Sequence, residues 1–445
     1  MATTIFHCSV LLFSLFFLGT ATGCFGDLLQ ADDQHRPLRS IRNSFSEDGF
    51  ESYSNQRNNI GGGRKFLSNG GWLGNSIFSY YCRFLLDMIR MPFNKKEVEA
   101  DELKLLDHQK TLLFIFGDSL FDAGNNKYVR TTTYLQYPYG FTYFTHATGR
   151  ICDGRIVPDM IAELANLPFI PPSMQPGANF SYGANFACVG ATVLDSYATG
   201  NSSKETVTLR GQMSQFIELA KKLNATLGPS RAKAILSKSV YVFSMGGDDY
   251  LQYYDEFTDE GRSPTLSEQQ QQVNAVIGNL TEALMELYEE GARKIAFQNV
   301  GPMGCLPFLA SNGSCVQALL TMPILHNKQL YEALTSLAER LEGFKFSIFD
   351  YFPSLLDRMR HPSDYGFEVG STPCYYSSSN GYRGMGLDAT GDTTLCKYPS
   401  AFLLFDDGHT TQCANEQLTS LFWNGDASVT RPYNLKQLFR RELIK

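Results

Sequence analysis

Four short apolar runs constrain this chain more than any other feature: "LLFIF" from Leu112, "VYVFSM" from Val240, "KIAFQNV" from Lys294 and "FKFSIFD" from Phe344. Largely continuous apolar runs of this kind suit strands covered on both faces, the environment of a parallel sheet between helical layers. The segments between them carry helical signals. "VPDMIAELANL" and "RGQMSQFIELAKKL" are amphipathic, and "SEQQQQVNAVIGNLTEALMELYEEG" and "HNKQLYEALTSLAERLEG" repeat apolar residues near a 3.6 period, ending at Gly291 and Gly343, where a C-terminal cap is wanted. Strands alternating with helices predict a mostly parallel sheet with helices on both sides, and such sheets carry their sites at the carboxyl ends of the strands.

The first run stops at Gly117 and is followed at once by Asp118, Ser119 and a second carboxylate, Asp122. Two readings fit these residues. Ser and Asp are favoured caps of a following helix, and a serine on such a turn is also placed to act as a nucleophile. The second reading requires a base, because a serine hydroxyl must lose its proton as it attacks.

Seven histidines are available, and His409 stands out within "FLLFDDGHTTQCANEQL". Asp406, three residues earlier, reaches back across one tight turn to orient the ring and stabilise its charged form. Taken alone, this pair also fits a solvated turn or half of a metal site. No second histidine lies at zinc-ligand spacing, however, and no H-E-x-x-H occurs.

The blocks "FGDSLFDAGNN", "TGRICDGRIVPDMIAELANLPFIPP", "YGANFACVGATVL", "GGDDYLQYY", "FQNVGPMGCLP" and "FDDGHTTQCANE", in this order, resemble the successive motifs of plant GDSL esterase/lipases of the SGNH hydrolase superfamily. The resemblance runs from about Leu112 to Trp423. It implies a three-layer αβα, flavodoxin-like fold, with Ser119 as nucleophile, His409 as base and Asp406 as its orienting carboxylate. It further implies an oxyanion hole built from the backbone N–H of Ser119, that of Gly190 and a side chain of the "GGDDY" block. Family members cleave carboxylic esters through an acyl-enzyme, some passing the acyl group to an alcohol, and need neither cofactor nor metal. The expected substrate is therefore a small-molecule or lipid ester.

The "GGDDY" block departs from the family pattern. Where G-x-N-D is usual, this chain reads Gly246, Gly247, Asp248, Asp249. An ionised Asp248 only accepts hydrogen bonds, which leaves the oxyanion one donor short, a loss worth roughly 10² to 10³ in rate. A buried carboxyl held protonated would donate instead. Two readings follow: a serine esterase or acyltransferase, or a catalytically weak or inactive member that acts by binding a partner. Cys188 and Val189 also depart from the Ser and Gly frequent before the oxyanion glycine, and the Pro that often follows the histidine is missing. Tyr250, Tyr253, Tyr254 and Phe257, just beyond the third block, either line a cleft or pack in the core.

The remaining expectations concern organisation. Residues 1–23 read as a secretory signal, with an apolar run from Ile5 and small residues before Gly23. Residues 24–110 form a polar extension, flexible or a propeptide, with two short helices at "SIFSYYCRFLLDMIRMPF" and "KKEVEADELKLLDH". The hydrolase domain spans 111–428, and 429–445 reads as a C-terminal tail. Ten cysteines fit an oxidising compartment, with Cys305–Cys315 and Cys374–Cys396 as the expected pairs and Cys188 as a buried thiol. Sequons at Asn179, Asn201, Asn224, Asn279 and Asn312 fit glycosylation. A net charge of −7 provides no basic field for nucleic acid, and no later segment reaches the roughly 18 apolar residues of a membrane span. The expected location is extracellular, or another destination of the secretory pathway.

Overall fold

The computed structural model describes residues 111–129, 135–196, 206–310, 314–377 and 393–440. The expected signal, the polar extension with its two helices, and the sequons at Asn201 and Asn312 lie outside the described residues. Asn179 and Asn224 are exposed and Asn279 is half-buried.

The four apolar runs contain β1 (Leu113–Gly117), β3 (Val240–Ser244), β4 (Lys294–Gln298) and β5 (Lys345–Phe349), and a short β2 (Gly183–Asn185) lies between the first two in sequence. All five are parallel, in the order β2-β1-β3-β4-β5. A hairpin of β6 (Tyr375–Ser377) and β7 (Thr393–Leu395) stands apart, and β8 (Thr430–Pro432) closes the sheet antiparallel to β5.

The period of two along each strand divides the core. Phe114 and Phe116 of β1, Tyr241 and Phe243 of β3, and Phe297 of β4 face one side, where Phe116 stacks on Phe243 at 4.7 Å and Phe243 on Phe297 at 4.9 Å. Leu113, Ile115, Val240, Val242 and Ala296 face the other. Helix α1 (Val157–Leu164) packs on the aliphatic face, whereas α2 (Leu209–Leu227) and α3 (Pro229–Lys238) bury Phe216 and Leu236 on the aromatic face. Beyond β3 come α4 (Gly247–Asp259), α5 (Leu266–Glu289) and α6 (Ala318–Arg340), again on the aromatic side. The helices α7 (Tyr351–Arg360), α8 (Gln412–Asn424) and α9 (Leu435–Phe439) complete the aliphatic side. This is the three-layer αβα fold.

Two expectations change. Residues 429–440 are not a tail: β8 pairs with β5, Leu435 and Leu438 are fully buried, and Lys294 Nζ donates to the Leu438 carbonyl at 2.8 Å. A three-residue strand shows no period, and Pro432 is tolerated there because β8 lies at the sheet edge. Helix α6 also begins at Ala318 instead of His326 and runs through Pro323. Burial of Leu319 and Met322 outweighs the one backbone bond that the proline removes.

Glycine at 183 is what allows β2 to lie against β1. It has φ +119°, and a Cβ there would stand 1.8 Å from the Leu113 carbonyl oxygen. Gly183→Ala is expected to destabilise the domain by about 3 kcal/mol, read as a fall in the urea midpoint.

Candidate active site

The chain leaves β1 toward β2 on one side and reaches β3 on the other, so the carboxyl end of β1 is a topological switch point. Ser119 lies there. Gly117 permits the turn, since a Cβ at this position would sit 2.5 Å from the Ser244 carbonyl oxygen. Gln212 of α2, fully buried, clamps the same glycine: its Oε1 accepts from Gly117 N at 3.0 Å and its Nε2 donates to Gly117 O at 2.8 Å. Neither Asp118 nor Ser119 caps a helix, because the next helical turn begins only at Asn126. Asp118 Oδ1 accepts from Leu120 N at 3.1 Å, and burial, reinforced by the charge of Asp248, holds this carboxyl well above its usual range.

His409 meets Ser119 from the far end of the chain. Leu404 and Thr410 bridge across a tight turn, and Phe405 N donates to His409 O at 2.7 Å. Inside that turn Asp406 Oδ1 accepts from Gly408 N at 3.0 Å, from His409 N at 2.8 Å and from the His409 ring Nδ1 at 2.8 Å. A carboxylate is acceptor-only, so Nδ1 carries the proton and Nε2 offers a lone pair. Nε2 lies 2.8 Å from Ser119 Oγ. Burial alone would lower the imidazole, but Asp406, with Asp407 and Asp118 behind it, outweighs that effect and raises the pKa above 6.5.

The Gly190 N–H is aimed by its neighbours. Val189 N donates to Asp122 Oδ2 at 3.0 Å, and Thr206 Oγ1 donates to the Val189 carbonyl at 2.6 Å. The N–H and C=O of a trans peptide point in opposite directions, so fixing that carbonyl turns the Gly190 N–H the other way. Gly190, with φ +69°, lines the same cleft as Ser119 and His409. Asp122 is the hub of this arrangement, accepting also from Gly124 N at 2.7 Å, Asn125 N at 2.6 Å and Asn126 N at 3.1 Å.

Asp248 stands half-buried in the first turn of α4, on the cleft wall. Its neighbour Asp249 points away from the chemistry. Fully buried, it accepts from Val193 N at 2.8 Å and Leu194 N at 2.9 Å, tying α4 to the segment after Gly190. Burial pushes Asp249 up to about 7. Of the four aromatics beyond this block, Tyr254 lines the cleft. Tyr250 is buried with its hydroxyl 2.7 Å from His326 Nδ1, and Tyr253 packs edge-on against Phe257 at 4.9 Å.

The cleft holds about 1030 Å³, and Leu251, Val300, Met303, Leu306, Phe308 and Leu309 supply much of its apolar wall. Cys305–Cys315 and Cys374–Cys396 are both disulfides, and Cys188 is buried. Among the described residues no helix is long and apolar enough to cross a membrane, and no three His, Cys, Asp or Glu side chains group to hold a metal.

A mostly parallel sheet between two helical layers, with a hydroxyl, an imidazole and a carboxylate joined at its switch point, is the architecture of an SGNH-type α/β hydrolase fold. The particular family follows from sequence: residues 113–422 match the model of the GDSL-like lipase/acylhydrolases, and the chain belongs to that family. It is 39% identical over 357 residues to GDSL esterase/lipase 1 of Arabidopsis thaliana, covering 76% of this chain and 92% of that protein. A GDSL lipase of Tanacetum cinerariifolium is 38% identical, covering 75% and 89%. A further Arabidopsis relative, 37% identical over 73% of this chain and 74% of its own length, is named an inactive GDSL esterase/lipase-like protein.

Proposed function

We propose that this GDSL esterase/lipase is a serine esterase of the secretory pathway that works through an acyl-enzyme. The observation that carries the reading is the unbroken chain from Ser119 Oγ to His409 Nε2 and from His409 Nδ1 to Asp406, each step 2.8 Å long. Ser119 Oγ attacks the ester carbonyl carbon while its proton passes to Nε2, and Asp406 stabilises the resulting imidazolium. The oxyanion is held by the backbone N–H groups of Ser119 and Gly190. Collapse of the tetrahedral intermediate expels the alcohol, which takes the proton from Nε2. Water, or a second alcohol in a transfer reaction, then attacks the acyl carbon with His409 again as base, and Ser119 is restored.

The apolar wall suits an apolar acyl or alcohol group, and among the described lining residues there is no Lys or Arg to favour an anionic one. The two disulfides are consistent with an oxidising compartment.

A second reading, binding without turnover, rests on Asp248 and draws on the relative named inactive. One experiment separates the two. A fluorophosphonate probe is expected to label the folded chain on Ser119, located by peptide mass, while the Ser119→Ala protein takes up none. A native, folded chain that resists the probe and leaves p-nitrophenyl esters intact would favour binding alone.

The pH dependence follows from His409. The base must be neutral, and its pKa is raised, so kcat/KM is expected to fall on the acid side with a midpoint above 6.5. A midpoint below that value would contradict the Asp406 pairing.

A further inference from the structure

Asp406 has a fourth donor that the reaction scheme leaves unused. Tyr139, 267 residues away in sequence and fully buried, donates its hydroxyl to Asp406 Oδ2 at 3.0 Å. Its ring meets Phe405 edge-on at 5.3 Å and Tyr375 at 5.9 Å. The segment around it is tied down, with Gly140 N donating to Cys152 O at 2.9 Å and Thr142 N to Asp153 O at 2.7 Å. Asp153 in turn accepts from Gln412 N at 2.7 Å, at the start of α8.

We infer that Tyr139 is a positioning residue whose hydroxyl fixes the Asp406 carboxylate and thereby tunes the proton affinity of His409. Packing alone needs only the aromatic ring, and phenylalanine would supply it. A hydroxyl in this core is retained at the cost of desolvation unless it is bonded, and the bond here goes to the carboxylate that is hydrogen-bonded to the imidazole. Oδ1 is occupied by three N–H donors, so Tyr139 on Oδ2 fixes the carboxylate plane. It also draws negative charge away from the histidine.

The inference rests on the esterase reading only for its kinetic arm. Removing the hydroxyl leaves Oδ2 without this donor, strengthens the attraction on the imidazolium and raises the His409 pKa. The other groups around the pair are the same in both proteins: Asp407 and Asp118 facing His409, Asp248 beside Asp118, and Tyr375 near Asp406.

The test is Tyr139→Phe, with the His409 midpoint read by NMR titration of isotope-labelled histidine and assigned through His409→Gln. The expected result is a rise of about half a unit to one unit. In parallel, the acid limb of kcat/KM moves up by the same amount, limiting kcat falls about 3- to 10-fold and KM changes little. Replacing Tyr139 by a fluorinated tyrosine of lower phenol pKa keeps the ring and strengthens the donor, and should move the midpoint down. That second variant decides the matter alone if the phenylalanine protein does not fold. A His409 midpoint within about 0.2 unit of the parent in the folded variants would reduce Tyr139 to a packing residue. Because the titration needs no turnover, a parent without esterase activity would remove the functional reading while leaving this answer intact.

Discussion

Asp406→Ala is expected to lower kcat by roughly 10⁴-fold, whereas Asp406→Asn should lower it by only about 10²-fold. The difference comes from where the donors point. Three N–H groups converge on Oδ1 and a hydroxyl reaches Oδ2. An asparagine placed here seats its carbonyl oxygen at the Oδ1 position and turns its amide toward Tyr139, whose hydroxyl can rotate to accept. The His409 Nδ1 proton keeps an acceptor, the tautomer is preserved, and what is lost is the negative charge. Alanine loses charge, acceptor and orientation together. With the charge gone, burial is opposed only by the weaker pull of Asp407 and Asp118 on the imidazole, so the acid limb of the asparagine variant should drop below that of the parent. If asparagine proves as damaging as alanine, the amide has seated the other way round and reversed the tautomer. Steady-state rates on one p-nitrophenyl ester, measured across pH, decide this.

What could be read in advance depended on how local each signal was. β1, β3, β4 and β5 were visible because burial on both faces leaves short, mostly apolar runs. β2 and β8 were not, since three residues carry no period and their pairing is imposed by neighbours. Ser119 and the Asp406–His409 turn were legible as short motifs, and the turn is local, with Asp406 bonding backbone groups two and three residues ahead. That Ser119 and His409 would meet across 290 residues followed only from the family resemblance. Gln212, Thr206 and Tyr139 were missed. Their partners lie 95, 17 and 267 residues away, and each reads in sequence as an ordinary helix, loop or aromatic residue. Asp122 did carry a signal, a carboxylate followed by Ala, Gly, Asn and Asn, which is the composition of a turn closed on a side chain. Its link to the Gly190 segment, 67 residues on, was beyond that signal.

Asp248→Asn is expected to raise ester turnover, by about 10²-fold if the full worth of one oxyanion donor is recovered. Asp248 lines the cleft with Ser119 and Gly190, and its charge raises the pKa of both Asp118 and Asp249. A group that disfavours charge on two neighbouring carboxyls also disfavours it on a substrate oxygen held between Ser119 and Gly190. Asparagine removes that repulsion and adds two N–H donors on a side chain of nearly the same shape. Binding of substrate in its neutral ground state should change little, so the gain belongs in kcat. The opposite outcome is equally informative. If the rate is unchanged or lower, and the parent loses activity as pH rises while Asp248→Asn does not, the carboxyl is protonated at work and donates in its own right. The pH profile of the pair, more than either rate alone, separates a degraded oxyanion hole from one rebuilt around an acid.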